Sequence, residues 1–136
     1  MPYDSHLAGS PEEWLKYAKA DLLVAEIDYY EDILLSLRCF HAQQAVEKAI
    51  KAVLIALKTK FPKTHVIGEL IDLLPKSIIF PPALEGVSKL SIYAVNSRYP
   101  GDNDVIVRKD WLYALDLAKQ VYEWAEQIIA NIKTKG

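Results

Sequence analysis

Apolar side chains recur every three to four residues along most of this chain, the spacing of helices that each turn one stripe toward a core. Ser10, Pro11 and Glu13 open the first: a capping serine, a proline at the first helical position, and a glutamate placed to complete a capping box. Trp14, Tyr17, Ala18, Asp21, Leu22, Ala25 and Tyr29 then mostly keep the helical period, predicting a helix that ends near residues 30–32. A second helix, over 33–58, contains neither proline nor glycine. Projected at about 100° per residue, it gathers Ala42, Ala45, Val46, Ala49, Ile50, Val53, Ala56 and Leu57 into one apolar arc. His41, Gln44, Glu47, Lys48 and Lys51 fall opposite. At about 1.5 Å per residue this helix would span roughly 39 Å, which makes it the expected central column, with Phe61-Pro62-Lys63 as its stop.

Thr64 can cap a short third helix over 65–74, ended by Pro75. Pro81-Pro82 marks a bend before a fourth, over 83–96, whose inward positions are Leu84, Val87, Leu90 and Val95. The stretch 97–107 reads as the longest loop, because Pro100, Gly101, Asp102, Asn103 and Asp104 are turn formers. A last helix over 109–133 turns Leu112, Leu115, Ala118, Val121, Tyr122, Ala125, Ile128 and Ile129 to one side. Val105-Ile106-Val107 is a brief β-favouring run, too short to demand a strand. The expectation is an all-α, up-and-down bundle of four long helices plus a short one, forming one domain over 1–136 with its core at about 11–133.

Composition narrows the function. With 136 residues, 51% of them hydrophobic, the chain suits one compact core. A formal net charge of -2 lacks the basic excess of a dedicated nucleic-acid binder, so any such contact must rest on a local patch. The single cysteine, Cys39, allows no intramolecular disulfide and reads as a small buried hydrophobe in a reducing compartment. No stretch approaches the ~18 apolar residues of a membrane span, and no signal segment is apparent at the start, so a cytoplasmic protein without membrane contact is expected. His6, His41 and His65 are far apart, and neither metal-ligand spacing nor a glycine-rich phosphate loop occurs; no metal and no cofactor are implied.

The densest functional polarity lies on the second helix. His41, Gln44, Lys48 and Lys51, three or four residues apart, form one ridge that could offer an imidazole, an amide and two ammonium groups to a phosphate. The same residues describe a solvated face on which Glu47 and Lys51 make an i,i+4 ion pair of about 0.3–0.5 kcal/mol. Arg38 and His41, three apart, are a further possible pair. In the loop, Arg98 can grip phosphate bidentately, Tyr99 can stack on a base, and Pro100 fixes the turn that aims both. Equally, Arg98 can pair with Asp102 or Asp104, leaving Tyr99 to seal the bundle's end.

The run His41-Ala42-Gln43-Gln44-Ala45-Val46-Glu47-Lys48-Ala49-Ile50-Lys51-Ala52 resembles the signature of the HEPN family. Trp14 with Ala18, Asp21 and Leu22 is similar to that family's opening helix, and Ser97-Arg98-Tyr99-Pro100 to its arginine-tyrosine-proline element. The resemblance runs in order from about Pro11 to Ile129. It implies a bundle, usually a homodimer, with a groove for nucleotide or RNA, acting beside a minimal nucleotidyltransferase, as in a toxin-antitoxin type pair. Position by position it points to His41, Gln44, Lys48, Arg98 and Tyr99. One departure bears on catalysis: ribonucleases of this superfamily resemble one another in an arginine followed after four to six residues by a histidine. Here Asn103, Asp104 and Val105 stand at that spacing from Arg98, and none supplies a base tuned near neutrality. Three readings follow: a nucleotide- or RNA-binding module; a metal-independent ribonuclease using His41 with Arg38 or Arg98; and a scaffold whose interface is anchored by Tyr93, Trp111, Tyr113 and Trp124.

Overall fold

The computed structural model describes residues 9–96 and 105–135, and every regular element among them is helical. Helix α1 spans Pro11–Ala25, α2 Leu35–Ala56, α3 Ile67–Asp72, α4 Ile92–Asn96 and α5 Arg108–Lys135. A 3-10 segment, Pro82–Ser91, runs directly into α4, so the two together make the fourth long column. The fold is thus all-α, four long helical columns and the short α3.

The capping box forms as expected. Ser10 Oγ accepts the Glu13 N–H at 3.1 Å, while Glu13 Oε1 accepts the Ser10 N–H at 3.0 Å. Such a pair satisfies two donors that the helix start would otherwise leave open, worth about 1 kcal/mol. At its other end α1 stops at Ala25, well before residues 30–32. Tertiary donors set that stop: the Trp111 indole N–H takes the Ala25 carbonyl at 2.7 Å, and Arg38 Nη2 takes the Tyr30 carbonyl at 2.7 Å. Tyr29, expected inward, is accordingly exposed, as is Tyr17.

Helix α2 is the hub. It packs against every other element, α1 and α5 most extensively. Its apolar arc is buried from Ala42 to Val53 and only partly at Ala56 and Leu57, but Arg38, Gln43, Glu47 and Lys51 are buried too, because a helix enclosed on nearly all sides has no fully solvated face. The helix ends at Ala56 without help from Pro62. Lys58 adopts a left-handed conformation (φ 57°), and the Thr59 and Lys58 N–H groups bond back to the Leu54 and Ile55 carbonyls at 2.8 and 2.9 Å. That is the Schellman closure usually given to glycine.

Helix α3 is shorter than the expected 65–74, and Thr64 does not cap it. Its hydroxyl instead accepts the Val66 N–H at 3.0 Å, turning the chain before the helix begins. In the fourth column Leu84, Val87 and Leu90 are buried as predicted; the Val95 side chain lies outside the described residues. No strand forms at 105–107. On α5, Leu115, Ala118, Val121, Ala125 and Ile129 are buried, but Leu112 is exposed and Trp111 takes the core position instead. Trp111 is therefore not available as an interface anchor, whereas Tyr113 is exposed. Trp124 packs edge-on to Phe80 and donates to the Ile79 carbonyl at 3.1 Å.

Candidate functional site

The polar residues of α2 do not form one free ridge; they divide among three clusters. In the first, Asp21 on α1 faces α2 and accepts from His41 Nδ1 at 2.9 Å and from Lys48 Nζ at 2.6 Å. His41 and Lys48 are seven residues apart, two turns or about 10.5 Å along the helix, and the carboxylate straddles the gap between them. Tyr17, one turn before Asp21, lies with its ring 6.0 Å from the Lys48 ammonium. Burial alone would raise the Asp21 carboxyl, but the hydrogen bonds and charges of His41 and Lys48 hold it below the usual range. The Lys48 charge is therefore already matched. With Nδ1 bound to Asp21, the other imidazole nitrogen of His41 remains as its second functional atom.

The second cluster centres on the buried Glu47, with His65 at its exposed edge. Glu47 accepts from Lys51 at 3.2 Å, from Gln43 at 3.2 Å and from His65 Nδ1 at 2.8 Å. Gln44 donates to Gln43 at 2.8 Å. The Lys51 ammonium also sits 5.7 Å from the Trp14 ring and 5.6 Å from that of Phe61. The predicted Glu47–Lys51 pair thus exists, but as a buried pair under α1's first turn and Phe61, not on a solvated face.

The third cluster joins three elements at the end of the bundle where α5 begins. Arg108, the first residue of α5, places Nη1 and Nη2 on the two oxygens of Asp28 at 2.9 and 2.6 Å. Arg38 reaches the same carboxylate more loosely, Nη1 to Oδ1 at 3.4 Å. Both guanidinium carbons lie 5.0 Å from the centre of the Trp111 ring. Hydrogen bonding to Arg108 holds the Asp28 carboxyl down and pushes the Arg108 guanidinium up. Around these residues opens a depression of ≈ 590 Å³, lined also by Glu31, Ile33, Leu34 and Ile106.

His41 and Lys48 are therefore brought together through Asp21, while Gln44 and Lys51 belong to the second cluster. Arg38 and His41, neighbours on the helix, serve different partners: one turns to Asp28 and Trp111, the other to Asp21. Arg98 and Tyr99 lie outside the described residues, as do Asp102, Asn103, Asp104 and His6. Sequence reasoning missed Asp28 and Arg108. Only their convergence on Arg38 singles them out, and no periodicity encodes it. Cys39 is buried as expected, its thiol pushed up to about 11 by desolvation. Among the described residues no three His, Cys, Asp or Glu side chains gather as a metal-holding group.

A hub helix enclosed by its neighbours, with charged clusters along it and an arginine-lined depression at one end, defines a helical-bundle domain with one polar end. The family model of the HEPN domain matches residues 11–128, and the chain belongs to that family of nucleotide-binding and ribonuclease-like domains. The fold is similar to the crystal structure of TT1696 from Thermus thermophilus, with 28% identity and a TM-score of 0.73, covering 87% of this chain and 97% of that one. It is also similar to ST0689, an archaeal HEPN homologue, with 27% identity and a TM-score of 0.65, covering 89% of this chain and 98% of that one. No curated protein matches the chain. Among the described residues no helix is long and apolar enough to cross a membrane.

Proposed function

We propose that this chain is a nucleotide- or RNA-binding HEPN domain, acting in the cytoplasm as a homodimer with a nucleotidyltransferase-domain partner in a toxin-antitoxin type pair. The observation that carries the reading is the pairing of Arg38 and Arg108 in the depression at the start of α5. Planar guanidinium forks match phosphate oxygens, and the two of them become a local positive patch, which a chain of net charge -2 lacks globally, once Asp28 yields its place to the ligand. Arg98 and Tyr99, which lie outside the described residues, enter this reading through the resemblance of Ser97-Arg98-Tyr99-Pro100 alone, as a further phosphate-gripping fork and a ring able to stack on a base. His41, Gln44 and Lys48, which the resemblance also implicates, do not line this depression: His41 and Lys48 bond to Asp21 and Gln44 to Gln43. Binding is favoured over cleavage because Asn103 and Asp104 stand where the ribonuclease motif has histidine. Equilibrium titration with nucleotides and RNA at low salt tests it: saturable binding that is lost in Arg98→Ala is expected, together with co-purification of a nucleotidyltransferase. Neither appearing would end the proposal.

One observation favours a second reading, a metal-independent ribonuclease. Asp21 fixes the His41 ring through Nδ1, the arrangement that prepares an imidazole to take a proton at its other nitrogen. It predicts RNA cleavage that persists in EDTA and leaves a cyclic phosphate. Undiminished cleavage by His41→Ala would remove it.

A further inference from the structure

One carboxylate is shared unequally between two arginines. Asp28 gives Arg108 two short bonds, yet stands 3.4 Å from Arg38, well beyond the ~2.7–2.9 Å of a good charge-assisted bond. Arg38 is only 4% exposed, and its Nε is buried with no hydrogen-bond partner among the described residues. Its fork is served by the Tyr30 carbonyl and, weakly, by Asp28. Two oxygens and one negative charge cannot fill both forks at once. Asp28 itself is half-exposed, on the connection between α1 and α2, so its side chain can leave the depression without unpacking the core.

We propose that the Arg38–Asp28–Arg108 cluster is a terminal-phosphate site held closed by Asp28, which a phosphate monoester opens by displacing the carboxylate and bridging the two arginines. The proposal rests on the nucleotide- or RNA-binding reading above and specifies which phosphate is read. The chemistry selects the monoester. Near neutral pH it carries a charge of about -1.5 to -2 and three terminal oxygens, enough for both forks and for the open Nε of Arg38. An internal phosphodiester carries one charge and two free oxygens, as Asp28 does, and gains nothing over a competitor already tethered in place. Glu31, in the lining, further disfavours weak anions. A free nucleotide and a phosphorylated RNA end share this chemistry.

The experiment uses the full chain at low salt. Fluorescence anisotropy compares a 3′-labelled oligoribonucleotide bearing a 5′-phosphate with its 5′-hydroxyl twin, and calorimetry compares AMP with adenosine, for wild type, Asp28→Asn, Arg108→Ala and Arg98→Ala. The phosphorylated member of at least one pair is expected to bind roughly tenfold or more tightly, with the preference growing as pH rises through about 6, where the phosphate loses its second proton. Asp28→Asn should raise that affinity severalfold without helping the hydroxyl twin. Arg108→Ala, at a side chain more than half exposed and so compatible with folding, should abolish the preference. Preference for the RNA end over AMP names the RNA as source; the reverse names the free nucleotide. Equal affinity for phosphate and hydroxyl ends overturns the proposal, as does an Asp28→Asn protein that folds, by circular dichroism, and shows no gain. RNA binding that is lost in Arg98→Ala but indifferent to the end group defeats this site alone. Absence of binding to every probe defeats the functional reading with it.

Discussion

The indole N–H of Trp111 reaches across the bundle to the carbonyl of Ala25 at 2.7 Å, closing α1 from α5. The same ring lies 5.0 Å from each of the two guanidiniums at the candidate site, so one buried side chain ends a helix and backs the arginine-lined depression. Trp111→Phe keeps an aromatic ring but orphans a buried carbonyl. We expect a loss of about 2–3 kcal/mol in urea unfolding. A change under about 0.5 kcal/mol would mean that the bond does not hold the helix end.

Glu47 and Lys51 are a buried pair, so removing one partner should cost far more than on a surface helix. Glu47→Ala leaves an ammonium buried against Trp14 and Phe61 and should cost about 3–5 kcal/mol. The double variant Glu47→Leu with Lys51→Met should recover part of it, since apolar pairs of similar volume often replace buried ion pairs without loss, the remainder of about 1–3 kcal/mol coming from the buried Gln43 amide left without Glu47. Thermal melts of single and double variants separate the two effects; equal, small losses would place the pair in solvent.

Lys58 occupies a left-handed conformation that disfavours a side chain by about 1–2 kcal/mol. Glycine accepts it freely, at the cost of a more mobile unfolded chain. Lys58→Gly is expected to stabilise the protein by roughly 0.5–1 kcal/mol, read as a higher melting temperature. Destabilisation would show that the Lys58 side chain contributes more than its backbone strain removes.

The Asp21 carboxyl is held below its usual range in the folded protein. A depressed carboxylate contributes stability that is fully present above the unfolded value, about 4, and is lost as pH falls through the folded one. Acid titration of unfolding free energy should therefore fall away below about pH 4, and Asp21→Asn should flatten that limb while lowering stability at pH 7. Parallel acid limbs in the two proteins would remove Asp21 as the cause.

Much of the architecture was legible because it is encoded locally. The capping box at Ser10, the unbroken α2 pattern and the bend at Pro81-Pro82 each depend on residues a few positions apart. What was not legible depends on enclosure and on long-range donors. A helical projection shows that Glu47 and Lys51 lie off the apolar arc, but not that α1 and Phe61 cover them. Nor does periodicity choose between Trp111 and Leu112, both apolar and adjacent, for the core; the Ala25 carbonyl makes that choice. In the candidate site, the α2 signature led to His41 and Lys48 but gave no sign of Asp21 bridging them, and Asp28 and Arg108 are 80 residues apart.

Because every other element packs on α2, the bundle has a built-in order of opening. The short α3 and the 3-10 segment pack on α2 less extensively than α1 and α5 do, so local opening should begin with them, although Ile67, Leu70, Leu84 and Val87 anchor both in the core. The amide hydrogens of α2 should then exchange only when the whole molecule unfolds, and those of α3 much sooner. A ligand seated at the α1–α2 connection and the start of α5 would clasp the slow-opening part of the molecule, so its binding would be felt as global protection of the amides.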